Sequence, residues 1–104
     1  MAKDNQQITT DDMQQTIYKE LGYKSYPFPF TTPAYLEAYG ILLGLKPPAA
    51  KTARVLELGA TYGGNIISQA VHNPEATFVG IELSQDQVEK GNKIISDAKL
   101  DNVS

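Results

Sequence analysis

The sequence contains no cysteine, and it carries fewer basic than acidic residues. Without cysteine, a disulfide framework, a thiolate nucleophile and a cysteine-ligated zinc site are all excluded. The 9 basic and 12 acidic residues give a formal net charge of -3. That balance argues against nucleic-acid binding by bulk electrostatics, and no basic cluster offsets it. We therefore predict neither a nucleic-acid partner nor a metal site.

Long hydrophobic runs are also missing. The opening stretch "MAKDNQQITTDD" has no apolar segment of the kind that a secretory signal needs. The longest apolar stretch, near "ILLGL", is far too short to cross a bilayer. These absences predict a cytoplasmic protein with no membrane partner.

The composition that remains is ordinary for a globular protein, with 41% hydrophobic and 20% charged residues. A length of 104 residues suits one small domain or part of a larger one. We divide the chain into a polar tail and helix over 1–22, an aromatic and proline-rich segment with a helix over 23–50, and an alternating strand–helix region over 51–104.

Two helices are predicted in the first half of the chain. The first covers 10–21, with Thr9 or Thr10 as its cap and apolar residues such as Ile17 and Leu21 on one face. The second covers 33–43, where Thr32 is placed to cap it and Pro33 occupies the first helical position.

The second half has the pattern of an α/β fold. Apolar runs predict strands over 54–58 and 77–82, and capped periodic segments predict helices over 64–72 and 85–99. Ser84 and Gln87 have the spacing of a capping box for the last helix. Two strands joined by a short helix form a parallel βαβ unit with a right-handed crossover.

The stretch "VLELGATYGGN" places Gly59, Gly63 and Gly64 at the carboxyl end of the first strand, where ligands bind in such units. Glycines there either admit a ligand close to the backbone or simply make a tight turn. Glu82 ends the second strand, 23 residues after Gly59. An acid at this spacing is placed to bind ribose hydroxyls, although a solvated strand-end acid is the alternative.

Glu57 distinguishes between classes of nucleotide. A dinucleotide loop would require glycine at position 61, which is threonine. An acid two residues before Gly59 would also repel a pyrophosphate, so an NAD-dependent enzyme is disfavoured. A ligand with a ribose and a positive charge fits better, and S-adenosylmethionine has both.

With these residues in view, the sequence resembles the class I S-adenosylmethionine-dependent methyltransferases. "VLELGATYGGN" is similar to their motif I, except that Thr61 replaces the middle glycine, and "FVGIELS" is similar to the next motif. The resemblance implies that Glu82 binds the ribose and that Leu83 lies against the adenine. The predicted cofactor-binding residues are Glu57, Gly59, Ala60, Thr61, Gly63, Asn65, Glu82 and Leu83.

The segment "YPFPFTTPAYLEAYGILLGLKPP" is similar to a bacterial subgroup that often carries a methyltransferase regulatory domain, and some of its members resemble protein lysine methyltransferases. The dense aromatic residues here are interpreted as a small core between the N-terminal helices and the sheet. The resemblance permits a lid over the cofactor as the alternative. The residues are Tyr18, Tyr23, Tyr26, Phe28, Phe30, Tyr35 and Tyr39.

The resemblance also implies an incomplete sheet. A complete class I domain has seven strands, whereas this chain ends at "LDNVS", where a third strand is expected to begin. We therefore expect the N-terminal part of a Rossmann-like methyltransferase, or a naturally short relative, inactive by itself and with both sheet edges open. Such a chain should either self-associate, through a strand edge or through the "ILLGL" helix, or be poorly stable alone. The methyl acceptor, either a protein or a small molecule, and the catalytic residues stay unknown. A non-catalytic binding or dimerisation module on the same fold is the alternative function.

Overall fold

The structure, a computed structural model, describes residues 9–13 and 24–104. Residues 10–13 are helical. Thr9 caps them, because its Oγ1 accepts the Asp12 N–H at 3.1 Å while Asp12 Oδ2 accepts the Thr9 N–H at 3.2 Å. Hydrogen bonds from the hydroxyl and the N–H of Thr9 hold the pKa of Asp12 below its ordinary value of 3.8. The remainder of the predicted first helix, with Ile17 and Leu21, lies outside the described residues.

The other predicted elements are present with small changes at their ends. Helix α1 covers Pro33–Leu42, strand β1 covers Arg54–Leu58, and helix α2 covers Gly64–His72. Strand β2 covers Thr77–Ile81 and helix α3 covers Gln85–Asp97. Pro33 begins α1 as expected, because its fixed φ suits the first turn and its missing N–H is not needed there.

The two strands pair in parallel, as predicted, with Arg54 opposite Thr77 and Leu58 opposite Ile81. The carboxyl ends of both strands therefore lie at the same edge of the sheet. The expectation that both lateral edges stay open is wrong for β2. Residues 102–104 run parallel beside it, and Phe78 N–H donates to Asn102 O at 2.8 Å. This isolated bridge lies at the position where the sequence indicated that a third strand would begin.

The core lies on one face of the sheet, where α2 packs against β2. Phe78 is fully buried, and Val103 joins the same cluster from the chain segment beside β2. The core consists of Ala60, Ile66, Ile67, Ala70, Ala76, Phe78 and Val103, with Val55, Ile95 and Leu100 packed against it. The opposite face carries Leu56, Leu58, Val79 and Ile81, all exposed.

The interpretation of the aromatic segment as a small core is wrong for the residues that the structure describes. Five of those aromatic side chains are 45–57% exposed: Tyr26, Phe28, Phe30, Tyr35 and Tyr39. They contact one another instead, as in the stacked rings of Tyr35 and Tyr39 with centroids 5.1 Å apart. These two tyrosines are four positions apart on one helix, so helical spacing alone brings their rings together.

The predicted capping box of α3 is also wrong. Ser84 is the residue before the first helical turn, but its side chain makes no capping hydrogen bond. Oε1 of Gln87 is buried without a hydrogen-bond partner. The carboxylate of Glu82 accepts the Ser84 N–H instead, at 3.0 Å. A carboxylate two residues before the serine therefore accepts the N–H that the Gln87 side chain would accept in a capping box.

Candidate functional site

Three residues of the glycine loop, which covers residues 59–64, have a left-handed backbone conformation. Gly59 has a φ of 72°, Thr61 a φ of 52° and Gly63 a φ of 86°. The N–H groups of Gly59 and Ala60 both donate to Ile81 O, at 2.8 and 3.1 Å. These bonds fold the loop over the end of β2. Glycine adopts such angles without steric cost, whereas a β-branched residue such as threonine does not.

Glu82 connects the two strand ends. Its Oε2 accepts the Thr61 N–H at 2.9 Å, and its Oε1 accepts the N–H groups of Leu83 and Ser84 at 2.8 and 3.0 Å. Three backbone donors thus hold one carboxylate at the carboxyl edge of the sheet. A carboxylate has about four lone-pair positions, so about one remains, on Oε2. The arrangement orients the acid and leaves it able to accept a further hydrogen bond.

Glu57 lies in a polar network on the core face of β1. Its Oε1 accepts a hydrogen bond from Asn65 Nδ2 at 2.7 Å, while its Oε2 is buried without a hydrogen-bond partner. Asn65 Oδ1 in turn accepts Phe28 N–H at 2.8 Å and Gln69 Nε2–H at 3.0 Å. An unpaired buried carboxylate oxygen is costly, and a donor, above all a cationic one, would satisfy it.

The chain segment at 24–31 lies against the glycine loop. Ser25 Oγ accepts a hydrogen bond from the Gly64 N–H at 2.6 Å and shares another with the Thr61 hydroxyl at 2.6 Å. The Thr61 hydroxyl also lies 2.7 Å from Ala60 O. The phenolic oxygen of Tyr62 accepts the Ser25 N–H at 3.4 Å. A Cβ on Gly64 would come within 2.5 Å of the Ser25 backbone, so glycine is required there for this approach.

The structure brings several of the predicted site residues together. Ala60, Thr61, Gly63 and Glu82 line one cleft, and Gly59 precedes them in the same loop. Glu57 and Asn65 line a separate hollow beside β1, and Leu83 is 77% exposed. The cleft also contains residues that the sequence did not indicate, among them Tyr62, Gln87, Gly91, Asn92 and Ser104. The cofactor contacts of the predicted residues stay predictions.

Gly91 illustrates why the sequence indicated only some of the cleft. A Cβ at this position would meet Tyr62 O at 3.3 Å, so the glycine permits α3 to approach the loop. Lys90 on the same helix holds its ammonium 3.8 Å from the centre of the Tyr62 ring. These contacts connect residues that are almost 30 positions apart in the sequence. No local sequence pattern predicts them.

Two further features bear on what this part of the chain can do. Within 9–13 and 24–104, no cluster of three or more histidine, aspartate or glutamate side chains could hold a metal ion. Among the same residues, no helix has the length and apolar character needed to cross a membrane.

Comparison with known proteins gives a family for this geometry. The family model whose description is "Putative methyltransferase" matches residues 51–104, which include both strands, the glycine loop and Glu82. The uncharacterized protein RP028 of Rickettsia prowazekii (strain Madrid E) is 42% identical over 86 residues, covering 83% of this chain and 34% of that protein. The uncharacterized protein RP789 of the same strain is 40% identical over 86 residues, covering 83% of this chain and 16% of that protein.

Solved structures agree with this result. The structure of PKMT2 from Rickettsia typhi in complex with AdoHcy superimposes with a TM-score of 0.73 at 43% identity, covering 79% of this chain and 16% of that one. A second structure of the same protein gives the same values. The chain thus spans about a third and about a sixth of the length of the two curated relatives. It belongs to this methyltransferase family, and its two parallel strands with their helices form part of the Rossmann-like fold of the class I S-adenosylmethionine-dependent methyltransferases.

Proposed function

We propose that this chain binds S-adenosylmethionine and provides cofactor-binding residues of a methyltransferase. The observation that carries the proposal is the Glu82 carboxylate, which three backbone N–H groups hold at the edge of a cleft with one acceptor position left on Oε2. That position suits a ribose hydroxyl. The 43% sequence identity with PKMT2, whose structure was solved in complex with AdoHcy, supports the same class of ligand. It also supports a likeness to protein lysine methyltransferases.

The residues around the glycine loop fit the charge of this ligand. Oε2 of Glu57 is a buried acceptor without a partner, and the amino group of S-adenosylmethionine is a cationic donor. A phosphate would meet unfavourable conditions, because the same carboxylate would repel it. In addition, the Gly64 N–H already donates a hydrogen bond to Ser25 Oγ, whereas in a phosphate-binding loop an N–H at the start of the helix donates to the phosphate.

When bound, S-adenosylmethionine supplies a methyl group on a positively charged sulfur, so a nucleophile can displace the neutral thioether in line. The residues of this chain would contribute by positioning. Glu82 fixes the ribose, the glycine loop approaches the amino-acid end, and Glu57 offsets the positive charge. Holding the donor in one geometry is the main catalytic contribution that such a site makes. The methyl acceptor stays open between a protein and a small molecule, and a cytoplasmic location stays a prediction.

Calorimetry tests the proposal directly. The 104-residue chain should bind S-adenosylhomocysteine and should not bind NAD. Replacing Glu82 with alanine should weaken S-adenosylhomocysteine binding by about 1–3 kcal/mol, because the ribose loses a charged acceptor. Glu75→Ala removes the same charge from an exposed carboxylate paired with Lys51, away from the cleft, and should leave binding unchanged. Tighter binding of NAD, or equal losses in both variants, would refute the proposal.

A further inference from the structure

The Ser25 hydroxyl forms a chain of hydrogen bonds with the glycine loop. Its Oγ accepts the Gly64 N–H at 2.6 Å and lies 2.6 Å from the Thr61 hydroxyl, which in turn lies 2.7 Å from Ala60 O. Thr61 has one hydroxyl proton. If that proton is donated to Ala60 O, Ser25 donates to Thr61 Oγ1, and if it is donated to Ser25, the same two hydroxyls are still bonded. In both arrangements Ser25 fixes the Thr61 side chain against the loop.

Thr61 is the residue of this loop whose conformation most needs such support. Its φ of 52° lies in the left-handed region, which is unfavourable for a β-branched residue. Gly59 and Gly63 have positive φ values as well, but glycine adopts them without this cost. The hydrogen bonds of the Thr61 hydroxyl therefore stabilise a backbone conformation that the threonine side chain by itself opposes.

The backbone of Thr61 in turn orients the acid at the end of β2. Oε1 of Glu82 accepts the N–H groups of Leu83 and Ser84, the next two residues of the chain. Oε2 accepts the Thr61 N–H at 2.9 Å, which connects it to the glycine loop. Oε2 is also the oxygen with an acceptor position left for a ligand. The direction of that free position therefore depends on the conformation of Thr61.

We propose that Ser25 is a positioning residue for the ribose of S-adenosylmethionine, because it holds Thr61 in the conformation that directs Oε2 of Glu82 toward the ribose hydroxyls. The inference rests on the proposed function, in which Glu82 binds the ribose. It adds a residue 36 positions before Thr61, from outside the strand–helix region, that acts through the loop. A glycine at position 61 would need no such support, since it adopts a positive φ without cost.

Two ligands that differ only at the ribose test this role. S-adenosylhomocysteine has both ribose hydroxyls, whereas its 2′,3′-dideoxy analogue has neither and gives Glu82 no hydroxyl to bind. By calorimetry on the 104-residue chain, Ser25→Ala should weaken S-adenosylhomocysteine binding about fivefold, the value of about one hydrogen bond. Binding of the dideoxy analogue, measured by competition, should change less than about twofold, because it does not depend on the direction of Oε2.

A double substitution tests whether the effect of Ser25 passes through Thr61. In a Thr61→Gly chain, adding Ser25→Ala should weaken S-adenosylhomocysteine binding less than about twofold, because no hydroxyl remains at position 61 and glycine relieves the strain. The two substitutions should therefore be non-additive. A full fivefold loss from Ser25→Ala in the Thr61→Gly chain would show that Ser25 acts by another route and would overturn the inference.

Ser96→Ala is the matched control, because it makes the same chemical change at an exposed position of α3 and should leave both affinities unchanged. Equal weakening of both ligands by Ser25→Ala would show that Ser25 only supports the loop in general, and would overturn the inference. Unchanged binding of S-adenosylhomocysteine would overturn it as well. If the unaltered chain bound neither ligand, the proposed function itself would fail, and this inference with it.

Discussion

Thr61 is the residue at which side chain and backbone have opposing requirements. Its φ of 52° lies in the region that glycine favours, and a β-branched residue there is strained by about 1–2 kcal/mol. In return, its hydroxyl binds Ser25, and its N–H binds Glu82 at 2.9 Å. Thr61 thus connects the N-terminal segment to the acid at the end of β2, and the strain is located inside the candidate site.

This strain predicts an inverted ranking of alanine and glycine at position 61. Thr61→Gly should be about 1 kcal/mol more stable than Thr61→Ala, because both lose the hydroxyl and only glycine relieves the backbone. Ser96, exposed within α3, is the control, and there Ser96→Gly should be less stable than Ser96→Ala by about 1 kcal/mol. Urea denaturation measures all four variants. The same ranking at both positions would mean that the positive φ is not maintained in solution.

Helix α3 shows how a site acid can also begin a helix. Glu82 accepts the N–H of Ser84, the residue just before the first turn, at 3.0 Å and the N–H of Leu83 at 2.8 Å. A negative charge at this end also interacts favourably with the helix dipole. Because the same carboxylate accepts the Thr61 N–H, any change at Glu82 affects the glycine loop and the start of the helix together.

We therefore expect the serine at the start of α3 to be nearly dispensable. Ser84→Ala should change the free energy of unfolding by less than about 0.5 kcal/mol, although losing a capping serine typically costs about 1 kcal/mol. Glu82→Ala should cost about 1–3 kcal/mol, since three backbone donors lose their acceptor. Chemical denaturation of the two variants compares these values. A loss of 1 kcal/mol or more in Ser84→Ala would instead support the capping box that the sequence predicted.

For the molecule as a whole, the two faces of the sheet differ sharply. One face is buried beneath α2, while the other presents an apolar surface of Leu56, Leu58, Val79 and Ile81, with Leu58 74% exposed. On the far side of β1, no strand pairs with it among residues 9–13 and 24–104. Parallel sheets are normally covered on both faces, and an unpaired strand edge beside an apolar surface favours association.

We expect the 104-residue chain to self-associate through this surface. Static light scattering should give a mass above that of the monomer, rising with concentration. Leu58→Lys should lower the mass, because a charge on the apolar face opposes its burial. Leu42→Lys on α1, which is 79% exposed, tests the competing "ILLGL" surface and should have no such effect. A concentration-independent monomer would refute the expectation, and a response to Leu42→Lys alone would assign the contact to α1.

The sequence by itself determined most of the local structure of the described residues and the place of the candidate site. The apolar runs and the proline and glycine boundaries predicted both strands, α1 and α2 to within one residue at each end, and the spacing of Gly59 and Glu82 indicated one ligand-binding edge. The end of α3 was predicted two residues too late. Lys99 has a positive φ, which ends the helix, and no sequence pattern indicated it. These features depend on residues that are near one another in the chain.

Only the tertiary structure decided what surrounds that edge. It left the aromatic side chains exposed and brought Ser25 to within hydrogen-bond distance of Thr61 and Gly64. These outcomes depend on contacts between distant segments, for which the sequence has no periodicity to read. In an unfolded chain, a hydroxyl or a carboxylate can form hydrogen bonds with many different partners. Only the packing of the folded chain selects which of these hydrogen bonds form.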